Sequence, residues 1–221
     1  MADDPTPSPA ISVIVAQIDR QMNRLFAMVG DAVAGATHAL LTGDREAAKS
    51  LVERDEAIDA LYRELERLVL DQIILGADSP QRLRYLITVL RLLPELERSG
   101  DLAEHVARRA TQGIVTDMSA RARGLVERMG EVASEMWRIA ADAFADRAPD
   151  VADRLDEHDD EMDELLVTFT AELVGGKMSL PVVIELALIG RFYERFGDHA
   201  VNIARRVPSR STRPTATEHE G

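Results

Sequence analysis

Residues 191–204 read RFYERFGDHAVNIA, and a shorter version of the same pattern, ELERSGDLA, occupies residues 95–103. Both stretches contain Glu-Arg-x-Gly-Asp, late in a long segment with helical apolar periodicity. The glutamate and the aspartate are four residues apart, so their carboxylates share one face of a helix. Single pairs at this spacing arise often by chance in an acidic chain, but the repeated pattern indicates a duplicated helical unit.

Composition narrows the classes of protein to which this chain can belong. The 221 residues are 46% hydrophobic and 29% charged, which is enough for a sizeable core. The chain has no cysteine, so disulfides and thiolate metal sites are excluded. A net charge of −13 disfavours broad contact with nucleic acid or anionic lipid. With neither a secretory signal nor a run of 18 apolar residues, we expect a soluble protein. The absence of cysteine suits a cytosolic protein.

The chain is predicted to be all-α and to consist of two tandem three-helix bundles, with six long antiparallel helices. Apolar residues follow the 3.6-residue period, and sustained strand-like alternation is absent. Residues 11–112 form repeat one and residues 113–207 form repeat two. Residues 1–10 are predicted to be a disordered arm and residues 208–221 a flexible tail.

Several short motifs predict where the helices begin and end. Gly43-Asp44 combines a helix stop with a new N-cap, and Ser79-Pro80 and Ser179-Leu180-Pro181 are typical helix starts. Gly175-Gly176 predicts the end of the fifth helix. The fourth helix is predicted to run from Ile114 to Arg147, ending before Pro149.

Each repeat has an acidic pair near the start of its second helix and another late in its third. The second-helix pairs are 104 residues apart in the sequence and the third-helix pairs are 97 residues apart. If these helices are antiparallel neighbours, the two pairs of each repeat meet at one end of its bundle. The residues are Asp55, Asp59, Glu97 and Asp101 in repeat one, and Asp159, Asp163, Glu194 and Asp198 in repeat two.

Four converging carboxylates should repel one another and raise one another's pKa. A bound cation would remove the repulsion, and ligation by oxygen alone suits a hard ion such as Mg, Mn or Fe(III) without excluding Zn. The alternative is an acidic patch that is solvated, or neutralised by the adjacent Arg54, Arg98 and Arg195.

Histidines and glycines beside the acidic pairs give weaker indications. His105 continues the face of Glu97 and Asp101, which makes it a candidate ligand, whereas His158 and His199 should point about 100° away from the acidic face. Gly100 and Gly197 are expected to let a neighbouring helix approach closely.

These motifs resemble the PhoU family of phosphate-transport accessory regulators. The octapeptide GDHAVNIA, residues 197–204, is especially close to the family's second signature, and the resemblance extends from about Ile11 to Val207. It implies two three-helix repeats with metal ions or clusters on the eight acidic residues. It also implies a cytoplasmic, non-catalytic adaptor between a phosphate ABC transporter and a sensor histidine kinase, which damps phosphate-starvation signalling. Such an adaptor would be peripheral to the membrane, and we include a homodimer among the expected assemblies.

Two residues of repeat one depart from the family pattern. Ser99 stands where an apolar residue is usual, and Pro94 lies inside the third helix, which it should kink or shift in register. Repeat two is therefore the better match to the family's metal site.

Two other functions remain open on the residues alone. Carboxylate clusters in helical bundles also form di-metal oxidases, but those enzymes use Glu-x-x-His, and no histidine of this chain has a glutamate three residues before it. The third alternative is a structural helical adaptor without metal. The sequence favours a regulator that is not an enzyme.

Overall fold

Six long α-helices contain most of the residues that the computed structural model describes, which are 9–146 and 151–207. No strand occurs in these two ranges, as the all-α prediction requires. The predicted tail 208–221, residues 1–8 of the predicted arm and the break at Pro149 lie outside the described residues. The helices are α1 (Pro9–Thr42), α2 (Arg45–Ile74), α3 (Pro80–Thr111), α4 (Ala120–Asp146), α5 (Val151–Gly175) and α6 (Leu180–Arg206).

Side-chain caps fix several helix starts at the predicted positions. The carboxylate of Asp44 accepts a hydrogen bond from the backbone N–H of Ala47 at 2.9 Å, and the hydroxyl of Ser79 accepts one from Arg82 at 3.2 Å. Both bonds satisfy donors that the first turn of a helix leaves free. α6 begins directly after Ser179, also as predicted.

The fourth helix begins later than predicted. Residues Ile114–Asp117 form a short 3-10 helix, Met118 is extended, and α4 begins at Ala120. Ser119 caps α4 by accepting the backbone N–H of Ala122 at 3.0 Å. The prediction from Ile114 was wrong because buried apolar residues of this linker happen to follow helical spacing.

The helices form two three-helix bundles, α1–α3 and α4–α6, which pack together through α3 against α6 and α1 against α4. α3 and α6 run antiparallel. Arg109, near the end of α3, lies 2.9 Å from Glu185, near the start of α6. At the other end of the contact, Arg206 of α6 donates to the backbone carbonyl of Arg91 at 3.2 Å.

One hydrophobic core runs through both bundles without interruption. Among the described residues, α1 makes two of the buried polar contacts that cross the boundary between the repeats. The indole N–H of Trp137 donates to the carbonyl of Phe26 at 2.8 Å, and the hydroxyls of Thr37 and Tyr193 lie 2.8 Å apart. Because a buried polar group without a partner is costly, these contacts define how the repeats pack.

α1 includes a segment, Val13–Thr42, that is long and apolar enough to cross a membrane by length and composition alone. Its apolar residues Ile18, Met22, Leu25 and Val29 are fully buried in the bundle. This burial is the pattern of a core helix.

Candidate metal centre

Three aspartates of repeat one converge between α2 and α3. One carboxylate oxygen each from Asp55, Asp59 and Asp101 lies within 4.8 Å of the other two. Gly100 helps to bring the helices together, because a Cβ atom there would lie 3.1 Å from Ile58 Cγ2 and 3.5 Å from Asp55 Oδ1. The predicted close approach at Gly100 is therefore present, and it occurs at the acidic cluster.

The carboxylates of this cluster disfavour one another's charge. The pKa of Asp55 is raised to about 6, first by burial and then by the charges of Glu104, Asp101 and Asp59, against the opposing effect of Arg108. Burial raises the pKa of Asp101 as well, with Asp59 adding to the effect. A cation would relieve both the repulsion and part of the desolvation cost.

Glu97 belongs to the edge of the same cluster. Burial raises the pKa of its carboxyl, and the charges of Asp101 and Asp59 add to the shift, whereas Arg98 lowers it. All four acidic residues predicted for repeat one are thus electrostatic neighbours.

Glu104 is a further acidic neighbour that the sequence reasoning missed. Its side chain is 11% exposed and accepts a hydrogen bond from Arg108 Nε at 2.7 Å. It lies three residues after Asp101, so the same helical spacing that linked the other acids could have identified it. Its counterpart in repeat two is Val201, so this acidic neighbour is specific to repeat one.

The acidic residues of repeat two are neighbours but are less tightly grouped. Burial raises the pKa of Asp159, and the nearby charges of Asp198 and Asp163 raise it further. Burial and Asp198 also raise the pKa of Glu194, whereas Arg191 lowers it. Within the described residues, only Asp55, Asp59 and Asp101 bring three ligand atoms within 4.8 Å of one another.

Two features explain the looser grouping in repeat two. The guanidinium of Arg191 donates to Glu194, and its repeat-one counterpart is Pro94, which has no such group. A Cβ atom at Gly197 would lie 3.0 Å from Met136 Sδ on α4, so this glycine brings α6 close to α4 rather than to α5. The sequence favoured the repeat-two site, but the more compact donor set is in repeat one.

Arginines contact the clusters, although not through the residues that the sequence suggested. Asp59 pairs with Arg63 at 2.5 Å, and Glu194 pairs with Arg191. The Arg63 side chain is 64% exposed, so this pair contributes little stability. The charge of Arg108 only partly offsets the raised pKa of Asp55.

The three histidines considered as ligands lie outside the compact group of aspartates. His105 Nδ1 is 2.5 Å from the backbone carbonyl of Asp101, and its ring packs on Phe192 at 5.2 Å between centroids. His158 Nε2 lies 3.7 Å from Glu135. His199 is buried against Glu95, with Nδ1 2.5 Å from Glu95 Oε2.

The Glu95–His199 contact joins α3 to α6. Glu95 also accepts a hydrogen bond from Arg206. Burial raises the pKa of Glu95, but the hydrogen bonds from His199 and Arg206 outweigh that effect, so the pKa is lowered overall. Glu95 is therefore an ionised group in the interface between the repeats.

The departures Pro94 and Ser99 are accommodated within a continuous α3. Pro94 has no N–H to offer the carbonyl of Leu90, one turn earlier. One residue further on, the carbonyl of Arg91 accepts the guanidinium of Arg206 at 3.2 Å. The hydroxyl of Ser99 is buried and donates to the carbonyl of Glu95 at 2.7 Å.

Comparison with known proteins assigns the chain to a family. The PhoU domain model matches it twice, over residues 22–110 and 126–207. The chain belongs to the PhoU family. It is 30% identical over 204 residues to the phosphate-specific transport system accessory protein PhoU homolog 1 of Mycobacterium leprae, with 90% of each chain covered. It is 36% identical over 184 residues to the PhoU homolog of Zymomonas mobilis, covering 80% of this chain and 76% of the relative.

The fold is also that of the PhoU family. The crystal structure of PhoU from Pseudomonas aeruginosa superposes with a TM-score of 0.81 at 30% identity, covering 88% of this chain and 95% of that one. The two PhoU matches, one in each bundle, confirm the predicted duplication.

The donor set of repeat one fits the hard cation expected from the resemblance to the family. Oxygens bound to one hard cation at about 2.0–2.6 Å lie at most about 5 Å apart, and the three aspartates meet this spacing. All three side chains are partly buried, so water does not fully screen their repulsion.

We expect the metal-free protein to lose stability as the pH rises from about 4.5 to about 6 relative to its Asp55→Asn variant. The ordinary pKa of Asp55, 3.8, applies in the unfolded chain, whereas its folded pKa is about 6. Between these values the folded state binds more protons, so the free energy of unfolding falls as pH rises. Urea titrations with chelator across this range measure the difference. Parallel stability curves for the two proteins would contradict the raised pKa.

Proposed function

We propose that this PhoU-family chain is a non-enzymatic, metal-binding regulatory adaptor of phosphate uptake. In this role it works in the cytoplasm, at the membrane periphery, between a phosphate ABC transporter and a sensor histidine kinase. It restrains phosphate-starvation signalling while phosphate is plentiful. Family membership supports the phosphate role, because the relatives are named as accessory proteins of a phosphate-specific transport system.

The observation that carries the metal part of the proposal is the convergence of Asp55, Asp59 and Asp101. A divalent or trivalent ion, whether Mg, Mn, Fe or Zn, would be held by these oxygens and by the neighbouring Glu97. In repeat two, Asp159, Asp163, Glu194 and Asp198 supply a second, looser set of oxygen donors. When bound, the metal supplies positive charge that holds the carboxylates of neighbouring helices together.

The oxidase alternative receives less support from the site. Di-metal oxidases of helical bundles take histidine as well as carboxylate ligands. Among the described residues, the compact ligand group contains aspartates alone.

The proposal is tested in cells from which the gene for this chain has been deleted. A phosphate-starvation reporter should be active in phosphate-rich medium in the deletion strain and silent after complementation with the wild-type chain. Affinity capture of the tagged chain from phosphate-replete cells should recover the transporter ATPase or the histidine kinase. A reporter that responds normally in the deletion strain, or the recovery of neither partner, would contradict the adaptor function.

A further inference from the structure

The outer surface of α5 and α6 carries a cluster of exposed apolar side chains, which we call the α5/α6 stripe. Large apolar residues are normally buried or exposed singly, so several together on one face indicate an interaction site. Val167 is 71% exposed, Val174 83% and Leu180 70%. The stripe consists of Val167, Val174, Leu180, Ile184 and Leu188.

Helical geometry places these residues on one surface. Val167 and Val174 are seven residues apart on α5, and Leu180, Ile184 and Leu188 are spaced by four on α6. The two helices are joined by the short turn at residues 176–179, which brings Val174 near Leu180. A groove of about 390 Å³ opens beside Leu180 and Ile184 and is also lined by Ile114.

The stripe leads along α5 into a strongly acidic surface. Residues 153–164 of α5 read DRLDEHDDEMDE, with eight acidic residues and one arginine. Asp156, Asp160, Asp163 and Glu164 are among the exposed ones. On the neighbouring α6 surface the cations include Arg191, which pairs with Glu194, and Arg195. Arg205 of α6 lies 3.4 Å from Asp156 and offsets part of the negative charge. The surface therefore presents an apolar half and a predominantly anionic half.

The corresponding surface of repeat one is interrupted by two arginine residues. The repeat spacing aligns Val174 with Leu70, Leu180 with Leu83, and Ile184 with Ile87. Leu70, Leu83 and Ile87 are 38–42% exposed, and Ile74 and Leu75 at the end of α2 are 80% and 79% exposed. Arg63 and Arg91 stand where repeat two has Val167 and Leu188, and they interrupt the apolar surface.

The acidic half is weaker in repeat one, where residues 49–60 are acidic at four of the eight aligned positions. Lys49 aligns with Asp153, Val52 with Asp156, and Ala60 with Glu164. Repeat one therefore has an interrupted apolar surface and fewer acidic residues, and it serves as an internal control.

We propose that the α5/α6 stripe, with the acidic half of α5, binds an amphipathic helix of a partner protein whose apolar face is followed by lysine or arginine residues. The apolar face covers the stripe and the basic end lies on the acidic half of α5, which complements its charge. The inference rests on the proposed adaptor function and deepens it, since it gives the adaptor a defined contact surface. Asp156 and Val174 are eighteen residues apart on α5, so the surface accommodates a helix of roughly 27 Å.

The test uses a synthetic 18-residue helical peptide with leucines on one face and four lysines in its last turns, labelled for fluorescence anisotropy, in the presence of chelator. We expect it to bind the full chain, to bind more weakly as salt rises, and not to bind when its lysines are replaced by glutamates. Val174→Gln/Ile184→Gln should weaken binding about tenfold or more, because two apolar anchors are lost.

The matched control is Leu70→Gln/Ile87→Gln, which makes the equivalent changes in repeat one and should leave binding within about twofold. Asp160→Asn/Glu164→Gln should weaken binding and flatten its salt dependence without touching the stripe. Circular dichroism confirms that each variant is folded, and all four stripe and control positions are exposed.

Three results would overturn the proposal: no binding of the basic peptide, equal weakening by the repeat-one control, or binding of the acidic peptide. Sedimentation velocity tests whether a second copy of this chain covers the stripe, and flotation with phosphatidylcholine vesicles tests whether lipid does. A dimer, or vesicle binding, that disappears in Val174→Gln/Ile184→Gln would assign the stripe to a second copy or to lipid instead. If the reporter and capture experiments fail while the peptide binds as described, the phosphate role is wrong but the α5/α6 stripe is still a binding surface.

Discussion

Replacing Asp55 and Asp101 together by asparagine is expected to remove most of the stabilisation of this chain by added metal, leaving only what the looser repeat-two donors supply, while making the metal-free protein slightly more stable at pH 7. The opposite signs follow from one cause. The aspartates repel each other without a cation, and under the proposed metal role they would bind one when it is present. Function at this site would thus be maintained at a cost in stability.

The expected size of the metal effect follows from mass action. An ion present at 100 times its dissociation constant stabilises the folded state by about 2.7 kcal/mol, which raises the melting temperature of a chain this long by roughly 5–10 °C. In the metal-free state, the double variant should gain less than about 1 kcal/mol, because the cluster is only partly buried and water screens part of the repulsion.

Thermal unfolding with Mn, Mg, Fe or Zn and with chelator measures both effects, and elemental analysis of the purified protein gives the metal content. The control is Asp160→Asn/Glu164→Gln, which removes the same number of charges from exposed positions of α5. This control should respond to metal as the wild type does. If the asparagine variant retains its metal content and thermal shift, the repeat-one site assignment is wrong.

Replacing Glu95 by alanine is expected to destabilise the protein by about 3–5 kcal/mol. The Glu95 side chain is 5% exposed and is hydrogen-bonded to His199 and Arg206. Its removal leaves the buried imidazole of His199 without its partner and opens a gap between α3 and α6. Because the pKa of Glu95 is lowered in the folded state, the ionised carboxylate stabilises the wild type at neutral pH. The wild type loses this stabilisation as the pH falls below 4.5, the ordinary pKa of the group.

Urea unfolding monitored by the fluorescence of Trp137 measures this loss, since α4 lies across the same boundary between the repeats. Glu95→Gln keeps the shape and a hydrogen-bonding group, so it should cost less than the alanine variant. Glu127→Ala, at an exposed position of α4, should change stability by no more than about 0.5 kcal/mol. A Glu95→Ala cost as small as that of Glu127→Ala would show that the buried contact contributes no net stability.

The sequence was sufficient to predict the helices and their duplication. Apolar periodicity, the caps at Asp44 and Ser79, and the repeated Glu-Arg-x-Gly-Asp are all local signals, and local signals determine helical structure. The grouping of Asp55, Asp59, Glu97 and Asp101 also followed from spacing, because neighbouring antiparallel helices align such pairs.

Features that depend on how helices pack were beyond the reach of the sequence. The Glu95–His199 contact exists because α3 of one repeat packs on α6 of the other, and no periodicity within a helix reports that pairing. The carboxylates are grouped more tightly in repeat one because Gly100 packs against α2, whereas Gly197 of repeat two packs against α4. The short 3-10 helix before α4 was missed because its buried residues keep helical spacing.

The hydrogen bonds that Tyr193 and Trp137 make across the repeat boundary affect how the chain folds during synthesis. The ribosome completes repeat one before either of these residues exists, so the boundary face of α1 and α3 emerges without its partners. The nascent chain therefore exposes apolar surface until translation has passed the end of α6, and over that interval it is open to aggregation.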